Sequence, residues 1–498
     1  MPDSCLFLFI LALTYNFIPF MISNDTQKEE RNETAMKDRT TEIFANAPIP
    51  KAVFSNIIPS IISMLMVLVY NLADTYFIAQ TKDPFMVAAV SYATPAFLLF
   101  MAIGMLFGIG GTSLISRMLG EGKREKAKHI SAFCFWTGIC VGVIGMIAIW
   151  IFIRPICHVV GSTKETFDYV KQYLLIVSVG VPFLIVGNSF SNIIRAEGNA
   201  NKAMLGMILG NVTNIILDPV MILGFGWNVA GAAIATVIGN IVAAGFYIFH
   251  LISKKSILSI HIKYYQAGDK IAKGVLAIGI PASLNNILMS TSNIIINNLM
   301  ATYGDMAVAG LGVAMKVNMI AVMLLIGVGT GIQPLLGYCF GAGNRKRFKG
   351  VLKFSIALSI ILSAIMTIIC YVGAGPMVNA FLEEPSAYQY GMQFARTLIL
   401  SGPLLGILFV MINTIQAMGA ALPSLILSIS RQGLLYIPIV LSFHFYYTLP
   451  ERLLQSPELV ERAPKMLVMA QPITDYATVA LAFVLYVISF KRLFKDKA

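Results

Sequence analysis

The chain has 498 residues, of which 57% are hydrophobic without counting 40 glycines and only 12% are charged. Soluble domains carry about 25% charged residues, so this composition excludes a water-soluble enzyme or binding module and predicts an all-α polytopic membrane protein. The net charge of +12 would suit nucleic acid or anionic lipid, but its placement in a few loops follows membrane topology instead.

Taken in chain order, residues 1–51 form an N-terminal extension. Within it, Leu6–Ile22 is apolar but short, is interrupted by Pro19 and lacks the cationic start of a signal peptide. Two readings of residues 1–35 stay open: a natural start at Met36, or an extra interfacial or spanning segment. Asn24 and Asn32 fit the glycosylation pattern, which carries little weight in a cytoplasmic segment.

A helix needs about 20 mostly apolar residues to cross a bilayer. Windows of that kind fall at 52–79, 86–119, 127–153, 167–192, 202–223, 229–252, 271–300, 306–340, 349–374, 388–414, 424–447 and 471–490. These predict 12 transmembrane helices, six in an N-lobe (52–253) and six in a C-lobe (271–490), joined by a loop at 254–270. The second and eighth windows are overlong and glycine-rich, which predicts tilt or kinking. Basic residues mark the cytoplasmic side. They gather after the second span (Lys123, Arg124, Lys126, Lys128) and in the central loop (Lys254, Lys255, Lys263, Lys270, Lys273). They gather again after the eighth span (Arg345, Lys346, Arg347, Lys349) and in the tail at 491–498 (Lys491, Arg492, Lys495, Lys497), whereas an opposite loop carries Glu383 and Glu384. Both termini are therefore expected in the cytoplasm.

Residues 86–420 repeat at an offset of 221. Gly108, Gly110 and Leu114 return as Gly329, Gly331 and Leu335; Gly120, Gly122 and Arg124 return as Gly341, Gly343 and Arg345. Pro155, Pro182, Asn192 and Gly198 return as Pro376, Pro403, Asn413 and Gly419. An even number of spans per copy makes the two six-helix repeats parallel, an arrangement common among alternating-access transporters.

Charged side chains inside spans are costly and mark functional sites. The first copy holds Asp74, in Tyr70-Asn71-Leu72-Ala73-Asp74-Thr75, and Asp218, in Asn214-Ile215-Ile216-Leu217-Asp218-Pro219. Asn71 with Asp74, Asn211 with Asn214 and Asp218, and Thr236 with Asn240 each follow helical spacing. Asp74 and Asp218 lie roughly 8 Å before the outer ends of their spans, and Thr236 lies roughly 10 Å inside its own. Asp74, Asn214, Asp218 and Thr236 thus form one candidate cation-coupling pocket, with oxygens suited to Na⁺ or to a shared proton. Pro59 and Pro219 are the candidate hinges. The bland alternative is a backbone cap at Asp74 and a kink partner for Pro219 at Asp218.

The second copy has Ile296 and Ile439 near the matching positions and is rich in amides and basic groups. Asn71, Asn192, Asn293, Asn297, Lys316, Arg396, Asn413 and Asp475 are candidate substrate-cavity residues, while Arg431 is expected to snorkel to the inner surface. Six scattered cysteines and five scattered histidines show no ligand spacing, so no metal site and no cofactor is expected beyond a coupling ion. Gly120-Glu121-Gly122-Lys123 lacks the preceding strand and the spacing of a phosphate loop. The 26 methionines suit a promiscuous cavity or a lipid-facing surface equally. No nucleophile–base constellation appears, so an enzyme is not expected.

These residues resemble the multidrug and toxic compound extrusion (MATE) transporters over 51–490. The carriers are Ile58-Pro59-Ser60, Tyr70 to Thr75, Gly120-Glu121-Gly122, Arg195-Ala196-Glu197-Gly198, Asn214 to Pro219 and Ala470-Gln471-Pro472-Ile473-Thr474-Asp475. The resemblance, closest to the DinF and MepA-like bacterial branch, implies two six-helix bundles around a V-shaped cavity and export driven by inward Na⁺ or H⁺. It places the coupling site at Asp74, Asn214, Asp218 and Thr236. The expected substrates are small organic molecules, cationic in the main, moved by a monomer in the bacterial inner membrane among its lipids, with no nucleic acid partner. A flippase for lipid-linked saccharides or lipids is the first alternative, and a channel or receptor the second.

Overall fold

The computed structural model describes residues 42–80, 84–253, 256–382, 384–448 and 457–495. The readings of Leu6–Ile22, Asn24, Asn32, Met36, Lys254, Lys255, Glu383 and Lys497 lie outside them. Among the described residues all regular structure is helical. The spanning helices of the first copy are α1 (Ile49–Ala79), α2 (Pro84–Gly120), α3 (Arg124–Ile151), α4 (Phe167–Ala196), α5 (Ala200–Pro219) and α6 (Asn228–Ile252). Those of the second are α7 (Asp269–Ala301), α8 (Asp305–Gly341), α9 (Arg345–Val372), α10 (Pro385–Ile399 with Gly402–Ala417), α11 (Ala421–Ile429, Ser430–Tyr436 and Ile437–Thr448) and α12 (Pro457–Lys495). Among the described residues eleven are long and apolar enough to cross a membrane alone, and the two pieces of α10, bent by 50°, bring the number to twelve when counted as one span.

The bend in α10 departs from the continuous span predicted at 388–414. Pro403 has no N–H and its ring collides with the carbonyl of Ile399, four residues back. Gly402 beside it packs against α9 so closely that a Cβ there would lie 2.1 Å from Thr367 Oγ1. The equivalent Pro182 follows Val181 and stays inside an unbroken α4. The last span was predicted at 471–490, yet α12 runs for 39 residues, because Arg462 and Lys465 ended the apolar window without ending the helix.

The duplication is visible in the backbone. The turns after α2 and α8 carry Gly122 at φ 73° and Gly343 at φ 67°; those after α4 and before α11 carry Gly198 at φ 84° and Gly419 at φ 73°. Left-handed backbone of this kind favours glycine because a Cβ would clash, so both glycine pairs persist at the repeat offset.

The two copies also exchange contacts. Helix α1 packs along α8, and α7 along α2. A Cβ on Gly110 would sit 2.2 Å from the Val275 carbonyl oxygen, and one on its repeat partner Gly331 would sit 2.9 Å from Ile57 Cα. Small residues let backbones approach this closely, which is how spanning helices gain packing when water offers no hydrophobic drive. At the bundle end that carries the basic turns, α2 meets α8 directly, where a Cβ on Gly337 would fall 2.1 Å from Ser116 Oγ, and α2 is also tied to α10, where Ser113 Oγ donates to the Gln416 carbonyl at 2.5 Å.

The segment between α6 and α7 is docked on the first copy. Ser256 Oγ and the Ile257 N–H donate to buried Glu197 at 2.7 and 3.2 Å, and Trp136 Nε1 on α3 donates to the Ile260 carbonyl at 2.9 Å. His129 Nδ1 lies 2.7 Å from the Tyr264 carbonyl, and Phe133 stacks on Tyr265.

Candidate functional site

Close packing of α5 on α6 builds the predicted pocket. A Cβ on Gly210 would lie 2.8 Å from the Gly239 carbonyl oxygen, and one on Gly239 would lie 2.8 Å from the Gly210 carbonyl oxygen. Each backbone therefore rests on the other, which sets Asn214, one turn beyond Gly210, opposite Thr236, one turn before Gly239.

With the amide oriented to satisfy its neighbours, Asn214 Nδ2 donates to Asp218 Oδ2 at 2.8 Å and its oxygen accepts from the Thr236 N–H at 3.1 Å. Thr236 Oγ1 donates to the Ala232 carbonyl at 2.9 Å, leaving its lone pairs for the pocket. Asp218 is fully buried, Asn214 and Thr236 are buried, and Asp74 on α1 is partly buried. The second carboxylate oxygen, Asp218 Oδ1, is buried and accepts no hydrogen bond. Among the described residues neither Asp74 nor Asp218 forms an ion pair.

An orphaned carboxylate oxygen in a membrane-buried pocket is costly, and oxygen groups around it fit a proton or a hard monovalent cation. The described residues contain no group of three or more His, Cys, Asp or Glu side chains able to hold a metal ion.

Pro219 ends α5 immediately after Asp218, and the chain continues as a π-helical turn, Val220–Gly224. Such wide turns are rare and are frequent at functional sites. Pro59 lies inside α1, where its carbonyl accepts from Ser63 Oγ at 2.8 Å.

Two tyrosines complete the pocket. The Tyr70 hydroxyl faces Thr236, and Tyr70 and Tyr173 both lie within electrostatic reach of Asp74 and Asp218. Tyr70 lies in the motif around Asp74, one turn before it on α1. Tyr173 was missed, although it sits roughly 9 Å inside its span, at the depth that selected Thr236.

The candidate cavity residues differ in their surroundings. Asn71 on α1 and Asn297 on α7 are exposed, and Asn293 is partly buried. Lys316 and Arg396 are exposed and rest over aromatic rings, 5.4 Å from the Phe381 centroid and 5.2 Å from that of Tyr371. Asn192 accepts from Arg195 Nη1 at 3.1 Å, and Asn413 donates to the Phe409 carbonyl at 2.9 Å. These two amides occupy equivalent helix crossings: each amide nitrogen lies near where a Cβ would stand on Gly108 (3.2 Å) or Gly329 (2.5 Å).

Arg431 corrects an expectation. Instead of snorkelling to a surface it is buried, and its Nε donates to Asp475 Oδ1 at 3.1 Å. The π-helical turn Ser430–Tyr436 carries it inward, and a buried carboxylate offers the guanidinium a better partner than a lipid-facing route.

The model of the MatE family matches residues 59–220 and 281–442, one segment in each copy. The multidrug export protein MepA of Staphylococcus aureus (strain NCTC 8325 / PS 47) is 32% identical over 406 residues, covering 81% of this chain and 89% of that protein. MepA of Staphylococcus saprophyticus is 30% identical over 405 residues, covering 81% and 89%. Among solved structures, the outward-facing conformation of a multidrug resistance MATE family transporter of the MOP superfamily superposes with a TM-score of 0.83 at 23% identity, covering 94% of this chain and 100% of that one. A MOP superfamily transporter from Pyrococcus furiosus, described as having a binding pocket of reverse polarity, superposes with a TM-score of 0.82 at 24% identity, covering 94% and 100%. With both copies matched by the family and about four-fifths of its length aligned with MepA proteins, the chain is a MepA-like member of the MATE family of membrane transporters.

Proposed function

We propose that this transporter is a secondary active exporter of small organic solutes, of the multidrug type, driven by inward movement of Na⁺ or H⁺ through the pocket at Asp74, Asn214, Asp218 and Thr236. The multidrug export named for the MepA relatives supports the solute class. The observation that carries the coupling site is Asp218, fully buried in a spanning helix with Oδ1 unpartnered. The bacterial plasma membrane, with both termini and the basic turns on the cytoplasmic side, is the setting that the loop charges support.

In this reading a solute enters from the cytoplasm into the space between the two lobes. Contact of α2 with α8 at the basic end then closes that side. An ion from outside reaches Asp74 and Asp218, where Asn214 holds one carboxylate oxygen of Asp218 and leaves the other free. Neutralising two carboxylates removes their repulsion and lets α1 move against α5 and α6 about Pro59. Tyr70 and Asp74 share α1, so that motion changes the pocket and the solute's surroundings together.

The test is export of a cationic dye from proteoliposomes, with Na⁺ and pH gradients imposed separately. Asp218→Asn should abolish ion-driven export at normal expression. Wild-type export by that variant would remove the proposed site.

A further inference from the structure

The α5–α6 pair and the α11–α12 pair hold equivalent places in the duplication, with Ala200 and Ala421 opening α5 and α11 at the repeat offset. Each pair holds a buried carboxylate, and a π-helical turn follows α5 at Val220–Gly224 and interrupts α11 at Ser430–Tyr436. They differ in what faces the carboxylate. Asp218 meets an amide and has one oxygen free. Asp475 meets a charge: Arg431 Nε and Gln471 Nε2 both donate to its Oδ1, each at 3.1 Å, and the Arg431 and Asp475 side chains are 7% and 2% exposed.

The arginine is held in place from several sides. Its guanidinium lies 5.2 Å from the Phe409 ring centroid, and Ser292 Oγ on α7 donates to the Gln432 carbonyl at 2.9 Å, pinning the π-helical turn. Burial of this pair does not explain itself through stability, because well-packed apolar replacements of buried pairs are often neutral or stabilising. Ionised side chains within membrane spans are rare and tend to mark ion or substrate pathways.

We infer that Arg431 is a tethered cation that keeps Asp475 out of ion coupling, so that the second copy stays silent while the first responds. This rests on the reading of Asp74 and Asp218 as the coupling site. Without the guanidinium, Asp475 is an uncompensated carboxylate in a low-dielectric interior, and such a group is neutralised by whatever small cation reaches it. The ligand class is a proton or a monovalent metal cation. Arg431 is thereby a positioning residue that sets how many ions accompany one solute.

The test uses the purified full-length transporter, with radioactive Na⁺ binding as one arm and proton uptake on acidification, followed with a pH indicator, as the other. Arg431→Met should add one saturable cation per chain in one arm, and adding Asp475→Asn should return uptake to the wild-type level. In an Asp218→Asn background, Arg431→Met should restore uptake that Asp218→Asn alone has lost. If Asp218→Asn keeps wild-type uptake, the proposed first-copy site fails, and Arg431 is then judged on the otherwise wild-type background alone. No added uptake in Arg431→Met in either arm overturns the inference. Where Arg431→Met does not fold, Arg431→Gln keeps an amide donor on Asp475 and removes only the charge, with the same two readings. If both neutral variants fail to fold while Arg431→Met/Asp475→Asn folds and transports normally, the pair is a structural tie and the inference is overturned.

Discussion

Gly120 on α2 and Gly341 on α8, the same residue of the two copies, lie against each other: a Cβ on Gly120 would fall 3.0 Å from Gly341 Cα and 2.2 Å from the Tyr338 carbonyl oxygen. The reciprocal holds, since a Cβ on Gly341 would fall 2.2 Å from the Arg117 carbonyl oxygen. The repeat therefore closes the basic end of the bundle on its own symmetry element, backbone against backbone. Gly341→Val should open that end. Forced overpacking costs about 1–3 kcal/mol, which shifts a two-state equilibrium roughly 5- to 150-fold. Maleimide labelling of a cysteine at Ser116, which is buried and whose Oγ lies 2.1 Å from where a Cβ on Gly337 of α8 would stand, should be at least about tenfold faster with Gly341→Val. Unchanged labelling would show that the contact is not the closure.

Asn214 holds Asp218 at 2.8 Å. A hydrogen bond to a charged group contributes about 1.5–3 kcal/mol, so Asn214→Ala should weaken apparent affinity for the driving ion about 10- to 150-fold. Maximal export at saturating ion should fall much less, because both carboxylates remain. Titrating dye export against Na⁺ and, separately, against pH checks this. A loss of maximal rate with unchanged ion affinity would assign Asn214 to packing.

Gly239→Val offers the complementary case, since it leaves every polar group of the pocket in place. Its Cβ would strike the Gly210 carbonyl oxygen and approach Asn214 Cβ at 3.2 Å. Overpacking by about 1–3 kcal/mol should separate α5 from α6, and ion affinity should fall as it does in Asn214→Ala. The two substitutions combined should lose less than the sum of their separate effects, because neighbours that share one contact are not additive.

The fold was legible because its determinants are local in sequence. Apolar windows, basic turns and an unbroken offset fixed the helix count and the duplication without any tertiary knowledge. The meeting of Asn214, Asp218 and Thr236 was legible for a related reason: counting residues along straight helices gives Asp218 and Thr236 a common expected depth. Arg431 was not legible in the same way. Whether a polar side chain at mid-span turns toward lipid, a neighbouring helix or a partner of opposite charge depends on helix rotation. A π-helical turn alters that rotation, as at Ser430–Tyr436, without a clear sequence signal. The break in α10 hinged on whether glycine or valine precedes a proline, a difference too small to outweigh an otherwise continuous apolar window.

Glu197 provides a last test, on the segment that joins the copies. Its buried carboxylate accepts from His250 Nε2 at 2.6 Å, Ser256 Oγ at 2.7 Å, Asn199 Nδ2 at 2.9 Å and the Ile257 N–H at 3.2 Å. Burial pushes its pKa up, but the hydrogen bonds from His250, Asn199 and Ser256 outweigh that and hold it below the ordinary 4.5. A carboxyl lowered on folding adds stability that is present above its unfolded value and lost as pH falls through the folded one. The docking of 256–265 should thus be firm at neutral pH and fail only below the ordinary carboxylate range. Glu197→Gln turns an accepting oxygen into a donor facing donors, at a cost of about 1–3 kcal/mol. Trypsin cleavage after exposed Lys263 at neutral pH should then accelerate about 5- to 150-fold, as local opening becomes more frequent. Hydrogen exchange across 256–265, corrected for its intrinsic pH dependence, should show the wild type losing protection only in acid and Glu197→Gln already unprotected at neutral pH. Equal protection in the two proteins would mean that Trp136, His129 and Phe133 alone hold the segment on α3.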